Sequence, residues 1–372
     1  MTLVVQAANF VTPTSGGLRT ALDALATGYA AAGHEVVQVL PGPRAGTIDT
    51  PWGRQINVRA PEVPGTGYRL VLRAQQVVDV LDDLEPDRLE VHDRTTLRSL
   101  GGWATQRGVP SLVVSHERLD RLLTTWLSPR LPCRRLADRS NAALAAHFDA
   151  VVCTTAWAAE EFERLEVGNL VRVPLGVDLE HFSPQDPTSL DDPRTGELVL
   201  LLASRLSREK RPELAVDTVA ELCRRGLRAR LVVAGDGPMR PALEERARGL
   251  PVTFLGFVRD RAEMARLLAS SDVVLAPGPI ETFGLAALEA LSCGTPVVAN
   301  ALSALREVLG PGGEAVGGTP RSFADAVERI VSRPADERRR AARARAEQFP
   351  WSATVQGFLD THGLPALAGQ AA

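Results

Sequence analysis

Residues 272–300, DVVLAPGPIETFGLAALEALSCGTPVVAN, read as strand, loop, helix and strand in unbroken succession. DVVLAP (272–277) and PVVAN (296–300) are short apolar runs with no polar alternation, which marks strands covered on both faces. Two such strands joined through a helix run parallel, because a parallel pair needs a long crossover between its members. The same pattern repeats along the chain. TLVVQAA (2–8), HEVVQVL (34–40), RLEVHD (88–93), PSLVVSH (110–116), DAVVCTT (149–155), ELVLLLAS (197–204), ARLVVAGDG (229–237) and PVTFLG (251–256) all read as buried strands. Helical stretches separate most of them, such as LRTALDALATGYAAAG, which closes on Gly33. Ten strands are many for one sheet and ordinary for two. The stretch 174–196, with four prolines and no periodicity, is the expected boundary. The expected fold class is α/β: two Rossmann-like, doubly wound domains, 1–175 and 176–350, facing each other across a cleft. Strand C-termini line such a cleft, and ligands sit there.

Composition removes several function classes. The chain has 372 residues, 45% of them hydrophobic, with 42 basic and 45 acidic side chains for a net charge of −3. That apolar fraction excludes wholesale disorder, and the charge argues against a dedicated nucleic-acid binder. No apolar run approaches the ~18 residues of a spanning helix. The opening MTLVVQAANF has no basic region before its apolar run and reads as a strand rather than a leader, so a cytoplasmic protein is expected. Cys133, Cys153, Cys223 and Cys293 lie far apart, with neither zinc-site spacing nor a disulfide framework. The 42 cations divide into 41 Arg and one Lys, Lys210. An ammonium is a compact point charge and a guanidinium a planar fork, so a lone Lys stands out.

Five groups of residues carry candidate chemistry. Gly16 and Gly17 open the first helix, where free N–H groups and the helix dipole favour an anion; a tight turn is the plain alternative. His116 ends a parallel strand, placed either to hydrogen-bond a sugar hydroxyl, to transfer a proton, or simply to be a satisfied structural histidine. Arg205 and Lys210 lie five residues apart at a strand-to-helix turn and suit a diphosphate leaving group. GDGP (235–238) repeats that logic one strand later, with Gly235 at the strand end and Pro238 expected in the first helical turn. Glu281 and Glu289, with seven residues between them, straddle the start of a helix and can each accept from two hydroxyls. No two aspartates lie two apart, so the D-x-D pair expected around a metal-bound nucleotide-sugar is missing.

Arg205-x4-Lys210, GDGP, the G-F followed by Asp260, and E-T-F-G-L-A-A-L-E together resemble the retaining family-4 glycosyltransferases of the GT-B fold. The resemblance spans nearly the whole chain. GGLRTA, DRTTLRSLGGWA, SHERLDRL and VVCTTAWAAEEF further resemble those members that move mannose from GDP-mannose to phosphatidylinositol mannosides. The resemblance implies that Arg205 and Lys210 bind the donor diphosphate. Glu281 with the backbone of Phe283, Gly284 and Leu285 would hold the donor sugar, and Glu289 the ribose. Asp260 would accept from guanine, His116 would contact the sugar near its reacting carbon, and Gly17 would approach the phosphate. It also implies retention by front-side attack, no metal or other cofactor, and a last helix, about 351–372, crossing back to the first domain. Ser204 and Leu175 depart from the family pattern, where Gly and Asn are usual.

The acceptor requires its own reading. Residues 94–139 carry nine Arg against three acids, and Arg118, Arg121, Arg130, Arg134 and Arg135 interleave with leucines and Trp126. Such a segment suits an anionic lipid surface, making this a peripheral protein of the cytoplasmic membrane face; a solvated helix is the alternative. RRRAARARAE (338–347) reads as only the exposed face of a helix. Rival readings are a UDP- or ADP-glucose enzyme with a soluble acceptor, a sugar-nucleotide epimerase, and a non-enzymatic sugar-nucleotide binder. The missing D-x-D pair makes a direct prediction: sugar transfer continues in excess EDTA, because protein cations stabilise the leaving diphosphate. Activity abolished by chelator and restored by Mn²⁺ or Mg²⁺ would show a metal at the phosphate.

Overall fold

Successive residues of a strand point to opposite faces of its sheet, and here both faces are packed. The computed structural model describes residues 1–11, 16–63, 68–126, 131–185 and 196–365, with the side chains of 125 and 126 outside that description. The chain forms two units, Met1–Leu175 with Trp351–Ala372, and Gly176–Pro350.

In the first unit the order is β1 (Leu3–Ala7), α1 (Gly17–Ala31), β2 (Glu35–Gly42), β3 (Gly46–Thr50), β4 (Gly53–Arg59), α2 (Gln75–Leu84), β5 (Arg88–Val91), α3 (Leu100–Arg107), β6 (Ser111–Ser115), α4 (Leu119–Trp126), α5 (Cys133–Ala145), β7 (Ala150–Cys153), α6 (Ala156–Glu163) and β8 (Leu170–Arg172). These strands form one sheet in the order β3-β4-β2-β1-β5-β6-β7-β8, parallel except for the β3–β4 hairpin. Val5, Val37, Leu89, Val113 and Val151 fill one face with side chains of α2, α3 and α6. Val4, Val36, Leu112 and Val152 fill the other, against Leu25 and Tyr29 of α1.

The second unit runs β9 (Leu198–Ala203), α7 (Glu213–Arg224), β10 (Ala229–Ala234), α8 (Arg240–Arg246), β11 (Val252–Gly256), α9 (Arg261–Ala269), β12 (Val273–Ala276), α10 (Leu285–Ser292), β13 (Val297–Asn300), α11 (Leu305–Leu309), β14 (Gly313–Val316), α12 (Pro320–Val331) and α13 (Ala335–Ala346). Its six strands are all parallel, ordered β11-β10-β9-β12-β13-β14. The last helix, α14 (Trp351–His362), belongs to the first unit. There Val355, Phe358 and Leu359 close the second apolar face, and Thr354 Oγ1 donates to the Pro174 carbonyl at 2.9 Å.

Ten strands stand where the apolar runs place them; β3, β4, β8 and β14 were not read from the sequence. β3 is an exposed, polar edge strand and β8 has three residues, so neither leaves an apolar run. The arginine run of α13 is corrected more sharply. Arg338 is buried and pairs with Asp272 at 2.7 Å. Arg339 donates to the Ala269 and Ser271 carbonyls, Arg343 to those of Leu179, Phe182 and Ser292, and Arg345 to those of Glu307 and Val308. The helix ties α9, α10, α11 and the segment 179–182 together through its guanidinium groups, because a fork of five donors can satisfy several carbonyls at once.

Gly28 sets how closely α14 docks. A Cβ there would stand 2.3 Å from Val355 Cγ2. Gly28→Leu is therefore expected to destabilise the first unit by about 1–3 kcal/mol through overpacking, read as a lower urea midpoint, while Gly33→Ala, with open space around it but a left-handed backbone, acts without displacing α14.

Candidate active site

Ligands of an open α/β sheet bind where the strand order reverses. In the second unit that point lies between β9 and β12. Lys210 ends the 3-10 turn 208–210 that follows β9, and Arg211 then adopts a left-handed conformation that turns the chain into α7. Glu281 follows β12. Across the switch point the Lys210 ammonium donates directly to Glu281 Oε1 as an ion pair. The two residues expected to flank the donor thus meet each other. Arg205 is half-buried in the same loop.

The N-terminus of α10 completes this edge. Phe283 is buried and meets Phe349 edge-on, with ring centroids 6.0 Å apart. Gly284 caps the helix at φ +83°, and a Cβ there would fall 2.5 Å from Leu305 Cδ2, so only glycine fits. Ala287 and Leu288 donate to the Gly284 carbonyl at 3.0 and 3.2 Å, which leaves the Leu285 and Ala286 amides without an intrahelical acceptor at the positive end of the dipole. Glu289 lies one turn deeper, partly exposed, and its carboxylate has no hydrogen-bond partner among the described residues. Burial pushes its pKa up to about 7, with Asp178 adding to the rise and Arg261 opposing it.

Two donor-side expectations change character. Gly235 spends its N–H on the Gly256 carbonyl at 2.8 Å, and a Cβ there would stand 1.9 Å from the Ser204 carbonyl oxygen. Its geometry serves the close approach of two backbone segments, holding the Arg205 loop, rather than offering an amide to a phosphate. Pro238 lies in the turn before α8, which starts at Arg240. Asp260 is exposed and caps α9, accepting from the Ala262 N–H at 2.9 Å. One of its oxygens is thereby committed to the helix.

The first unit reverses strand order between β1 and β5. Gly16 and Gly17 follow β1 and are exposed at the N-terminus of α1, where Gly16 has φ −76° and so is not a left-handed turn. His116 follows β6. Its Nε2 lies 2.9 Å from His92 Nδ1, and His92 Nε2 lies 3.2 Å from Glu90 Oε2. Burial, and then the charge of His92, push His116 down to about 3. A ring held that low is neutral near pH 7, which suits hydrogen bonding better than proton transfer through an imidazolium. His92 and Glu90 were missed, although RLEVHD ends a strand in the same way as the run carrying His116, and an acid inside an apolar run demands buried partners.

The expected lipid-facing residues separate. Arg118 is buried: it pairs with Asp120 and Glu160, donates to the Trp157 carbonyl and stacks on the Trp157 ring, its Cζ 4.6 Å from the centroid. It is a structural residue and not part of a membrane surface. Arg94 is likewise interior, paired with Glu161. Arg121 is exposed on α4, and Arg134 and Arg135 are exposed on α5 beside the exposed Leu131 and Leu136. Arg130 and the side chain of Trp126 lie outside the described residues. No helix among the described residues is long and apolar enough to cross a membrane.

The raised pKa of Glu289 carries a stability signature. Glu289 costs the folded state nothing while pH stays below its ordinary value, and a growing amount as pH rises from there to about 7. Glu289→Gln is expected to unfold at a temperature closer to that of the wild type at pH 4 than at pH 8, where the variant should be the more stable. Thermal unfolding at both values checks this.

Comparison with known proteins places this geometry. Residues 16–176 match the family described as "Glycosyl transferase 4-like domain", and residues 197–333 match "Glycosyl transferases group 1". The GDP-mannose-dependent alpha-(1-6)-phosphatidylinositol dimannoside mannosyltransferase of Mycobacterium tuberculosis (strain ATCC 25177 / H37Ra) is 48% identical over 371 residues, covering 98% of this chain and 97% of that one. The D-inositol 3-phosphate glycosyltransferase of Frankia alni is 38% identical over 208 residues, about half of each chain (50% and 51%). Sucrose-phosphate synthase from Thermosynechococcus elongatus superimposes with a TM-score of 0.82 at 21% identity, covering 98% of both chains. The fold is GT-B, and with a relative of that identity along almost its whole length this chain belongs to the group 1, family-4-like glycosyltransferases.

Proposed function

We propose that this enzyme transfers mannose from GDP-mannose to a phosphatidylinositol mannoside-type glycolipid with retention of configuration. The near full-length likeness to the mycobacterial dimannoside mannosyltransferase carries the choice of donor and acceptor. The paired Lys210 and Glu281 at the switch point support the chemistry. Lys210, Arg205 and the α10 N-terminus stabilise charge on the leaving diphosphate without a metal. Glu281 accepts from the mannosyl hydroxyls and Glu289 from the ribose, while Asp260 offers an oxygen to guanine. His116 donates or accepts one hydrogen bond at the sugar. The acceptor oxygen attacks the anomeric carbon on the face from which the diphosphate departs, and its proton passes to the departing phosphate oxygen.

The membrane reading narrows to α5. Exposed Arg134 and Arg135, flanked by exposed Leu131 and Leu136, present charge and apolar surface together. Each Arg near an anionic surface contributes about 1 kcal/mol, screened by salt. The protein then works peripherally, at the cytoplasmic membrane face where the nucleotide-sugar is found.

One experiment tests donor and surface together. Mannose transfer from GDP-mannose to acceptor in phosphatidylinositol vesicles is compared with transfer from UDP-glucose and ADP-glucose, alongside titration with GDP. Only GDP-mannose is expected to be used, and Arg134→Glu with Arg135→Glu should reduce transfer on vesicles while GDP affinity stays at the wild-type value. Preference for UDP overturns the donor assignment, and unchanged transfer by the charge-reversed variant overturns the assignment of α5.

A further inference from the structure

Glu90 is a fully buried carboxylate in the middle of a parallel sheet. Gln6 Nε2 donates to its Oε2 at 2.8 Å, His362 Nε2 lies 3.0 Å from its Oε1, and the Tyr29 hydroxyl donates to the same Oε1. His92 Nε2 is the fourth partner, at 3.2 Å. Burial acts to raise Glu90, but hydrogen bonds from His362 and His92 outweigh it and hold the carboxyl well below the usual range. An ionised carboxylate only accepts, so His92 Nε2 carries a proton. The other nitrogen of His92 is then the one aimed at His116. The two rings lie side by side, 21° from parallel, with centroids 5.2 Å apart.

We propose that Glu90 and His92 are positioning residues for His116, forming a carboxylate–imidazole–imidazole chain that fixes the ring plane and the tautomer which His116 presents at the end of β6. The inference rests on the reading of His116 as a donor-sugar contact. Glu90 anchors His92 through Nε2, and His92 Nδ1 determines whether His116 Nε2 donates or accepts. The remaining proton position on a neutral His116 follows from that choice. Solvent does not set it, because His92 is buried and every member of the chain has an interior partner. The device resembles the orientation of a metal-bound imidazole by an outer carboxylate, with a second imidazole in place of the metal.

Two substitutions at His92 separate positioning from bulk structure. In Asn the side-chain amide sits where Nδ1 was, and in Gln it sits where Nε2 was. His92→Gln keeps a partner for Glu90 and removes the one for His116; His92→Asn does the reverse. Glu90 itself is left intact, because Tyr29 and His362 also depend on it. The readouts are kcat with GDP-mannose, GDP affinity, thermal unfolding, and the imidazole ¹⁵N shifts of His116, which report its tautomer. The chain has six histidines, so assignment by single substitution is practical.

His92→Gln is expected to lower kcat on the order of 10–100-fold, with GDP affinity unchanged and the His116 nitrogens moving toward a tautomer mixture. His92→Asn is expected to recover most of kcat and a single tautomer. If His92→Gln leaves kcat and the His116 shifts at wild-type values while His116→Ala is impaired, the positioning role is overturned and the His116 contact stands. If His116→Ala is itself as active as the wild type, the contact and the positioning role both fall. A merely structural role predicts equal losses in both His92 variants, in step with their unfolding temperatures, and that result also overturns the proposal.

Discussion

Everything in this molecule depends on parallel sheets buried on both faces. Such a sheet has no wet surface on which to place polar chemistry, and its strand edges are few. What remains is the C-terminal end of each strand, where the chain leaves the sheet before starting a helix. Gly16 and Gly17 follow β1, His92 follows β5 and His116 follows β6; Arg205 and Lys210 follow β9 and Glu281 follows β12. The helices that begin there add backbone N–H groups to the same ends. The same topological rule thus gathers glycines and imidazoles at the strand ends of the first unit, and cations and a carboxylate at those of the second.

Arginine usage is the second organising fact. With one Lys in the chain, guanidinium groups must do both the structural and the functional work of cations. Most of the structural work is stitching: Arg343 binds three backbone carbonyls at once, and Arg118 combines two carboxylates, a carbonyl and an indole face. These residues are neutralised or desolvated in the interior, so counting charges along the sequence overstates the basic surface. The segment 94–139 shows this well, since Arg94 and Arg118 are both buried in ion pairs.

What sequence reveals and conceals follows from the range of each interaction. Strands, the helix after Glu281 and the placement of Lys210 were legible, because apolar runs and loop residues are local signals. The β3–β4 hairpin was not, because an exposed edge strand has no apolar run to announce it. The Glu90 cluster was concealed more deeply. Its partners come from residues 6, 29, 92 and 362, which only the wound topology and the returning α14 bring together. The role of Gly235 was misread for a related reason: a glycine at a strand end signals close approach, but sequence does not say whether a phosphate or another backbone approaches.

The Lys210–Glu281 pair shows how the proposed site holds two opposite charges ready before any donor arrives. The two side chains are 31% and 22% exposed, so their mutual attraction is partly screened by solvent. Pairs of that kind are worth about 0–1 kcal/mol, and little is lost when one partner turns to a ligand. The pair nevertheless keeps the ammonium aligned with the switch point and Glu281 in the orientation of an acceptor, which reduces the entropy lost on binding. On the proposed reading, a diphosphate at the switch point between β9 and β12 would bring more negative charge to Lys210 than Glu281 supplies. The ammonium would then gain most as the leaving group develops its charge, and the carboxylate would become available to the sugar hydroxyls. On that reading, weak attraction within the ion pair and strong attraction in the transition state is the inequality that acceleration requires.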